Sequence, residues 1–200
     1  MKKFFKEQWE KYRKRKTKAG IVLDFLFLIL FILILNPSTR LPITSFFIKY
    51  TMTSPKESSE KQILNESDYG WKYLNLNHET KDFADLKGKV VFLNFWATWC
   101  PPCVAEFSSI NDLYKEFGGQ VEFVLISNEE AAKLKGFLDK KGYEVPVSIM
   151  SQRVPSSLFG NTYPTSLIIS KKGEVVINKV GAAKWNSDQF KALLKKLIAE

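Results

Sequence analysis

The sequence predicts an α/β domain, with parallel strands at its centre and an antiparallel hairpin near its C-terminus, preceded by one apolar helix. Three observations predict this. An apolar run, Val90 to Ala97, leads straight into Cys100-Pro101-Pro102-Cys103 and then into a helical period. Strand-like and helix-like stretches alternate from there to residue 147, for which a parallel sheet with right-handed crossovers is the default topology. Two apolar stretches, Ser166–Ser170 and Glu174–Val180, flank a short turn at Lys171-Lys172-Gly173, which reads as a hairpin.

At the N-terminus, residues 2 to 18 hold nine Lys or Arg against Glu7 and Glu10, so this segment carries +7 of the formal +9. So local an excess argues against a nucleic-acid surface on the folded domain and for a topology signal. Residues 19 to 35 are apolar apart from Asp24, a run short but sufficient to cross a bilayer at about 1.5 Å per residue. A cleaved signal peptide is the competing reading. The apolar run exceeds the usual length for one, and no small-x-small site follows at Asn36-Pro37-Ser38-Thr39, so an anchor is favoured. The positive-inside rule places residues 1–18 in the cytoplasm and residues 36 onward outside it, on the periplasmic side in a Gram-negative cell. Asp24 is expected near the cytoplasmic headgroups or protonated, because a charge deep in the span is costly.

Residues 36–66 read as a tether. Pro37, Pro42 and Pro55 break helices, Phe46-Phe47-Ile48 form an interfacial patch, and Thr53 to Gln62 is polar. An amphipathic helix over 41–52 stays open as the alternative. Residues 67–200 then form one domain, long enough for an ordinary hydrophobic core. Trp71, Tyr73, Leu74 and Leu76 suggest an opening strand. The next element, Val90 to Ala97, is apolar nearly throughout, as in a strand covered on both faces. Phe107, Ile110, Leu113, Tyr114 and Phe117 recur at spacings of three and four, predicting a helix over 101–117 that Gly118-Gly119 ends. Val121–Ser127 is a strand, Glu129–Lys141 a charged amphipathic helix, and Val145-Pro146-Val147 a short extended segment. Pro155 to Gly160 reads as a short helical turn. Ser187–Ala199 is the last helix, with Asn186 or Ser187 as its cap.

Cys100 and Cys103 are the only cysteines, so the chain has no other thiol for a structural disulfide. A thiol at a helix start faces unpaired N–H groups and the positive end of the helix dipole, which favour the Cys100 thiolate and make it the attacking sulfur. Cys103, one turn further in, can then attack a mixed disulfide and release the substrate. The bland alternatives are a remnant of a metal site or two inert buried thiols. A structural zinc site needs about four ligands, and His78 is the one histidine, so no metal or cofactor is expected. His78 itself reads as a surface residue.

Strand, Trp99-Cys100-Pro101-Pro102-Cys103 at a helix start, and Tyr163-Pro164-Thr165 before an apolar strand together resemble a thioredoxin-fold protein. The extra helix over 129–141, Glu106 three residues beyond Cys103 and the N-terminal anchor are similar to the membrane-tethered thiol-disulfide oxidoreductases of the TlpA/ResA-like group. The resemblance covers about 67–200. It implies a central mixed sheet flanked by helices with that group's strand-helix insertion, Cys100 as nucleophile, Cys103 as resolving thiol, and a cis Pro164 beside them. Tyr163, Pro164, Trp99 and Pro101 would receive an extended substrate chain. Thioredoxins carry a buried Asp where Asn94 stands, and Asn94 cannot titrate. Glu106 is the candidate for its proton-handling role, with a carboxyl raised by burial and like charge, against the reading of a solvated glutamate favoured by the helix dipole. Val104 replaces a basic residue often found after the second cysteine. Trp96 reads as core packing, Trp99 as an apolar wall beside the sulfur.

The expected activity is disulfide exchange outside the cytoplasm. The resemblance leans towards reduction of protein disulfides, in cytochrome c maturation for example, with electrons from a membrane thiol-disulfide donor. Oxidation or isomerisation of client disulfides is one alternative. A membrane-anchored metal- or protein-binding module without catalysis is the other, although no Met or His stands beside Cys100 as a further soft ligand.

Overall fold

The computed structural model describes residues 8, 12, 16–60 and 62–200. Apart from Gln8, Tyr12, Lys16, Thr17 and Lys18, the basic segment 2–18 lies outside the described residues. Two compact units are present, residues 1–43 and 44–200.

In the first unit, α1 (Lys18–Leu35) is capped by the Thr17 side chain, which accepts from Gly20 N–H. It buries none of its residues and is long and apolar enough to cross a membrane. Lys16 pairs with Asp24, and the Tyr12 hydroxyl donates to the same carboxylate. The one charge within the apolar run is thus partnered from the basic side. A second helix, α2 (Pro37–Thr51), corrects the expectation that prolines interrupt this stretch. Pro37 opens the helix, where the missing N–H has no intrahelical partner to lose, and Pro42 removes a single bond.

The second unit begins well before Ser67, and the expected tether is partly a strap. Thr53 C=O accepts from Lys184 N–H at 2.9 Å, and Ser58 N–H donates to Val176 C=O at 2.8 Å. Strand β1 (Gln62–Ile63) then pairs antiparallel with β8 (Glu174–Val180). Thr53, Lys56, Glu57, Ser59 and Glu60 are exposed while main-chain groups of this stretch are bonded to the rest of the domain.

A short helix, α3 (Glu66–Tyr69), follows, closed by an Asn65–Asp68 capping box. β2 (Lys72–Asn75) and β3 (Thr80–Asp82) form a hairpin, and a 3-10 turn at Phe83–Leu86 leads to β4 (Val91–Phe95). Then come α4 (Pro101–Phe117), β5 (Glu122–Ser127), α5 (Ala131–Lys141), β6 (Val147–Met150), β7 (Thr165–Ile169), β8 and α6 (Asp188–Ala199). The eight strands form one mixed sheet in the order β1-β8-β7-β4-β5-β6-β2-β3. β4, β5 and β6 are parallel, and β7 and β8 form the expected antiparallel hairpin. The β2–β3 hairpin extends the sheet beyond β6. It lies outside the sequence expectation of one opening strand.

Every residue of β4 is buried. Phe92 and Trp96 join a cluster with Phe107, Trp185 and Phe190. Val91, Leu93 and Phe95 join another with Trp71, Phe83 and Phe159. Alternate side chains of one strand thus feed separate cores, which is why the run reads as continuously apolar. Gly118 ends α4 for want of space rather than for a left-handed turn: its φ is −60°, and an added Cβ would lie 2.6 Å from the Tyr114 ring.

Candidate active site

The sheet register assembles the site. Phe95 at the end of β4 lies opposite Thr165 at the start of antiparallel β7 and beside Ile126 of parallel β5. Three loops therefore leave the sheet at the same end: 96–100, 128–130 and the stretch before Thr165. The first carries the cysteine pair, and the last carries Pro164 after a cis Tyr163-Pro164 bond.

Cys100 is the N-cap of α4 and Cys103 lies in its first turn, joined to it as a disulfide. Cys103 N–H donates to Cys100 Sγ at 3.3 Å. That sulfur occupies the position of a capping oxygen, among the free N–H groups of a helix start. Pro101 and Pro102 fill the first two helical positions, where their missing donors cost nothing. Cys103 is fully buried and Cys100 is 4% exposed, so the pair is reached from the Cys100 side.

Trp99 is 56% exposed, and its ring meets Tyr163 edge-on with centroids 5.8 Å apart. Tyr163 packs in turn on Phe159. Two residues expected to line a substrate path are thus in contact, with Pro164 buried behind them. Trp96 is fully buried against Phe107 and Phe137. His78 lies in a left-handed turn at φ 62°, exposed, lining an open cleft with Leu74 and Ile149.

Glu106 is only 1% exposed, which removes the reading of a solvated helix-start glutamate. Asn94 Nδ2 donates to its Oε1 at 3.0 Å, while Ala183 N–H and Trp185 Nε1–H each donate to Oε2 at 3.0 Å. Burial pushes its pKa up to about 7, held back by the bonds from Trp185, Ala183 and Asn94. Asn94 Nδ2 also donates to Ser166 Oγ at 2.8 Å, so this amide ties the acid to β7. Ser109 Oγ donates to the Glu106 carbonyl at 2.7 Å and accepts Trp185 N–H at 3.2 Å. A buried shell of neutral hydrogen-bond donors, with the Lys179 charge acting from further off, surrounds a carboxyl poised near neutrality.

Three polar partners of the site escape the sequence reading. Trp185 and Ser166 are separated from the residues they serve by 79 and 72 positions; only the pairing of Asn94 with Ser166 across β4 and β7 brings the latter in. Glu129 was expected inside a helix, but α5 starts at Ala131, and Glu129 instead turns back to Thr98. Thr98 N–H donates to Glu129 Oε2 at 2.6 Å and Thr98 Oγ–H to Oε1 at 2.8 Å. Burial raises the Glu129 carboxyl, but Lys133 and the two Thr98 donors outweigh it and hold it below the ordinary range. Among the described residues no group of three or more His, Cys, Asp or Glu side chains could hold a metal ion.

Residues 68–177 match the AhpC/TSA family model. The chain belongs to the AhpC/TSA family. Among AhpC/TSA relatives, the thiol-disulfide oxidoreductase ResA of Bacillus thuringiensis (strain Al Hakam) is 33% identical over 141 residues, covering 69% of this chain and 80% of that protein. ResA of Bacillus subtilis (strain 168) is 37% identical over 103 residues, covering 50% and 58%. A thioredoxin-family thiol:disulfide interchange protein from Chlorobium tepidum TLS superposes with a TM-score of 0.54 at 25% identity, covering 72% of this chain and 97% of that one. This AhpC/TSA member is a thiol-disulfide oxidoreductase of thioredoxin fold, with protein thiols and disulfides as its substrates and the pair at 100 and 103 as its redox centre.

Proposed function

We propose that the protein reduces protein disulfides outside the cytoplasm, with Cys100 as the attacking sulfur and Glu106 as the proton carrier. In the reduced protein the Cys100 thiolate attacks a client disulfide. A Cys100–client bond forms, the client disulfide breaks, and the departing client sulfur leaves as a thiolate that takes up a proton. Cys103 then loses its proton and attacks Cys100 Sγ, restoring the intramolecular disulfide and releasing the second client thiolate. Two electrons pass from the protein to the client. Glu106 stands about one helical turn from Cys103, and a carboxyl near neutrality is matched to taking up and returning the Cys103 proton. Trp99, Pro101, Tyr163 and Pro164 form the walls against which an extended client chain lies.

The observation that carries this reading is the buried Glu106. Its negative charge when ionised, together with Val104 in place of a cation, disfavours a second thiolate inside the protein. That destabilises the reduced pair and lowers its potential, which makes it a reductant. The resemblance to the TlpA/ResA-like group leans in the same direction, and the disulfides of apocytochrome c are the proposed client class. α1 would hold the domain at the membrane, with the basic N-terminus in the cytoplasm and a membrane thiol-disulfide donor returning electrons.

A measured reduction potential tests the direction. A value near about −270 mV or lower is expected, and one near about −120 mV would make the protein an oxidant. Cys103→Ala should accumulate mixed disulfides through Cys100, whose clients can then be identified. Protease accessibility of residues 53–200 from the outer face of intact cells checks the placement.

A further inference from the structure

The loop that carries Cys100 is held at its two ends by backbone bonds. Trp96 N–H donates to Ile126 C=O at 3.0 Å, the last rung of the sheet, and Cys100 N–H donates to Ala97 C=O at 3.2 Å. Between them Thr98 has left the sheet. Its amide and its hydroxyl are both taken by one carboxylate, that of Glu129.

We propose that Glu129 is a positioning residue for the exchange reaction: its carboxylate, gripping Thr98 at two points, sets the course of the Thr98–Trp99–Cys100 turn and so the presentation of the sulfur to a polypeptide. The inference rests on the exchange activity, not on its direction. The geometry is that of a built clamp. The Glu129 side chain is 8% exposed and Thr98 is 9% exposed. Lys133, one turn into α5, reaches Oε1 at 2.5 Å, and Ser127 Oγ reaches Oε2 at 3.3 Å. With both oxygens occupied, the carboxylate has no free position for a proton in transit. Its charge is matched by Lys133, so it adds little net field opposing a thiolate. What remains is geometric work. Trp99 is the neighbour of Thr98 and rests on Tyr163, so a shift of the clamped peptide moves the wall that a client chain touches. A small misplacement of this kind costs a docked substrate far more than a small reagent that needs no dock.

The test compares single-turnover rates of the reduced full-length protein with two oxidants, insulin and the small aromatic disulfide 5,5′-dithiobis(2-nitrobenzoate). Glu129→Ala should slow insulin reduction on the order of tenfold and the small disulfide by only about twofold, so that the ratio of the two rates shifts. Thr98→Val, which keeps the amide and the volume but loses the hydroxyl donor, should shift the ratio in the same direction by roughly threefold, and Thr98→Ser should restore it. Equal slowing with both oxidants, accompanied by a lower melting temperature, overturns the proposal in favour of a role in stability alone. So does a Thr98→Val protein indistinguishable from the unsubstituted chain.

Discussion

Glu106 and Glu129 are the same residue type, both largely out of solvent, one on the helix that follows the cysteine loop and the other bonded to Thr98 of that loop, yet their carboxyls are driven in opposite directions. Glu106 is met only by neutral donors: an amide, a backbone N–H and an indole. Burial wins there and pushes the pKa up to about 7. Glu129 has two Thr98 donors and the Lys133 ammonium, and it stays ionised through the ordinary working range. The difference comes from the deeper burial of Glu106 and from the ammonium bonded directly to Glu129; the Lys179 charge also favours the ionised Glu106, but without a hydrogen bond, and does not offset its burial. It also separates the two by use, since a group that titrates can carry a proton and one that does not can only hold something still.

Removing the acid altogether should have the largest effect. Glu106→Ala strands the Trp185 indole N–H, the Ala183 amide and one Asn94 donor in a buried site, and should cost on the order of 3 kcal/mol in urea unfolding. The pH dependence comes next. The folded pKa of Glu106, about 7, lies above the ordinary glutamate value of 4.5, so between these values the folded protein binds more protons than the unfolded chain. Stability on this account is greatest below about pH 4.5, falls by about 3 kcal/mol as pH rises to about 7, and then levels off. Urea titrations across that range should show the slope, and Glu106→Gln should flatten it. The same variant should slow disulfide exchange at neutral pH by about a hundredfold if the proton passes through this carboxyl.

Asn94→Asp would sharpen the contrast by adding a second acid 3.0 Å from Glu106 Oε1. The two carboxyls should then share one proton, and a bell or a second step should enter the pH–rate profile that the unsubstituted chain lacks. The smallest effect is expected at Lys133. Its side chain is 57% exposed, so Lys133→Met should cost less than about 1 kcal/mol. It should nonetheless move the Glu129 carboxyl upward, visible by side-chain carboxyl NMR. No movement there would break the account of why the two acids differ.

Much of this was legible in the sequence because it depends on local pattern. The helix from Pro101 to Phe117, the β7–β8 hairpin, the capping Ser187 and the burial of Trp96 follow from periodicity and turn residues. So does the place of Cys100 at the N-cap, since a helix start is local. The environment of Glu106 was only half legible: its place on α4 was evident, but the burial that decides its pKa comes from Trp185 and Ala183, far along the chain. Glu129 was hidden by its company. In a charged stretch it reads as one more helix residue, and only the parallel β4–β5 register brings it to Thr98. The strap over 53–63 was illegible for another reason, because its bonds are made by main-chain atoms that composition does not report.

That strap ends where Glu106 is held. The Thr53 carbonyl grips Lys184 N–H, and Ser54 and Ser187 meet through their hydroxyls at 2.5 Å, on either side of Trp185, whose indole bonds the acid. A shortened chain begun at Ser67 would therefore not be the same redox protein made soluble. It would lack an edge strand and two fastenings of the loop that bonds Glu106, and a potential measured on it is expected to differ from that of the full-length protein.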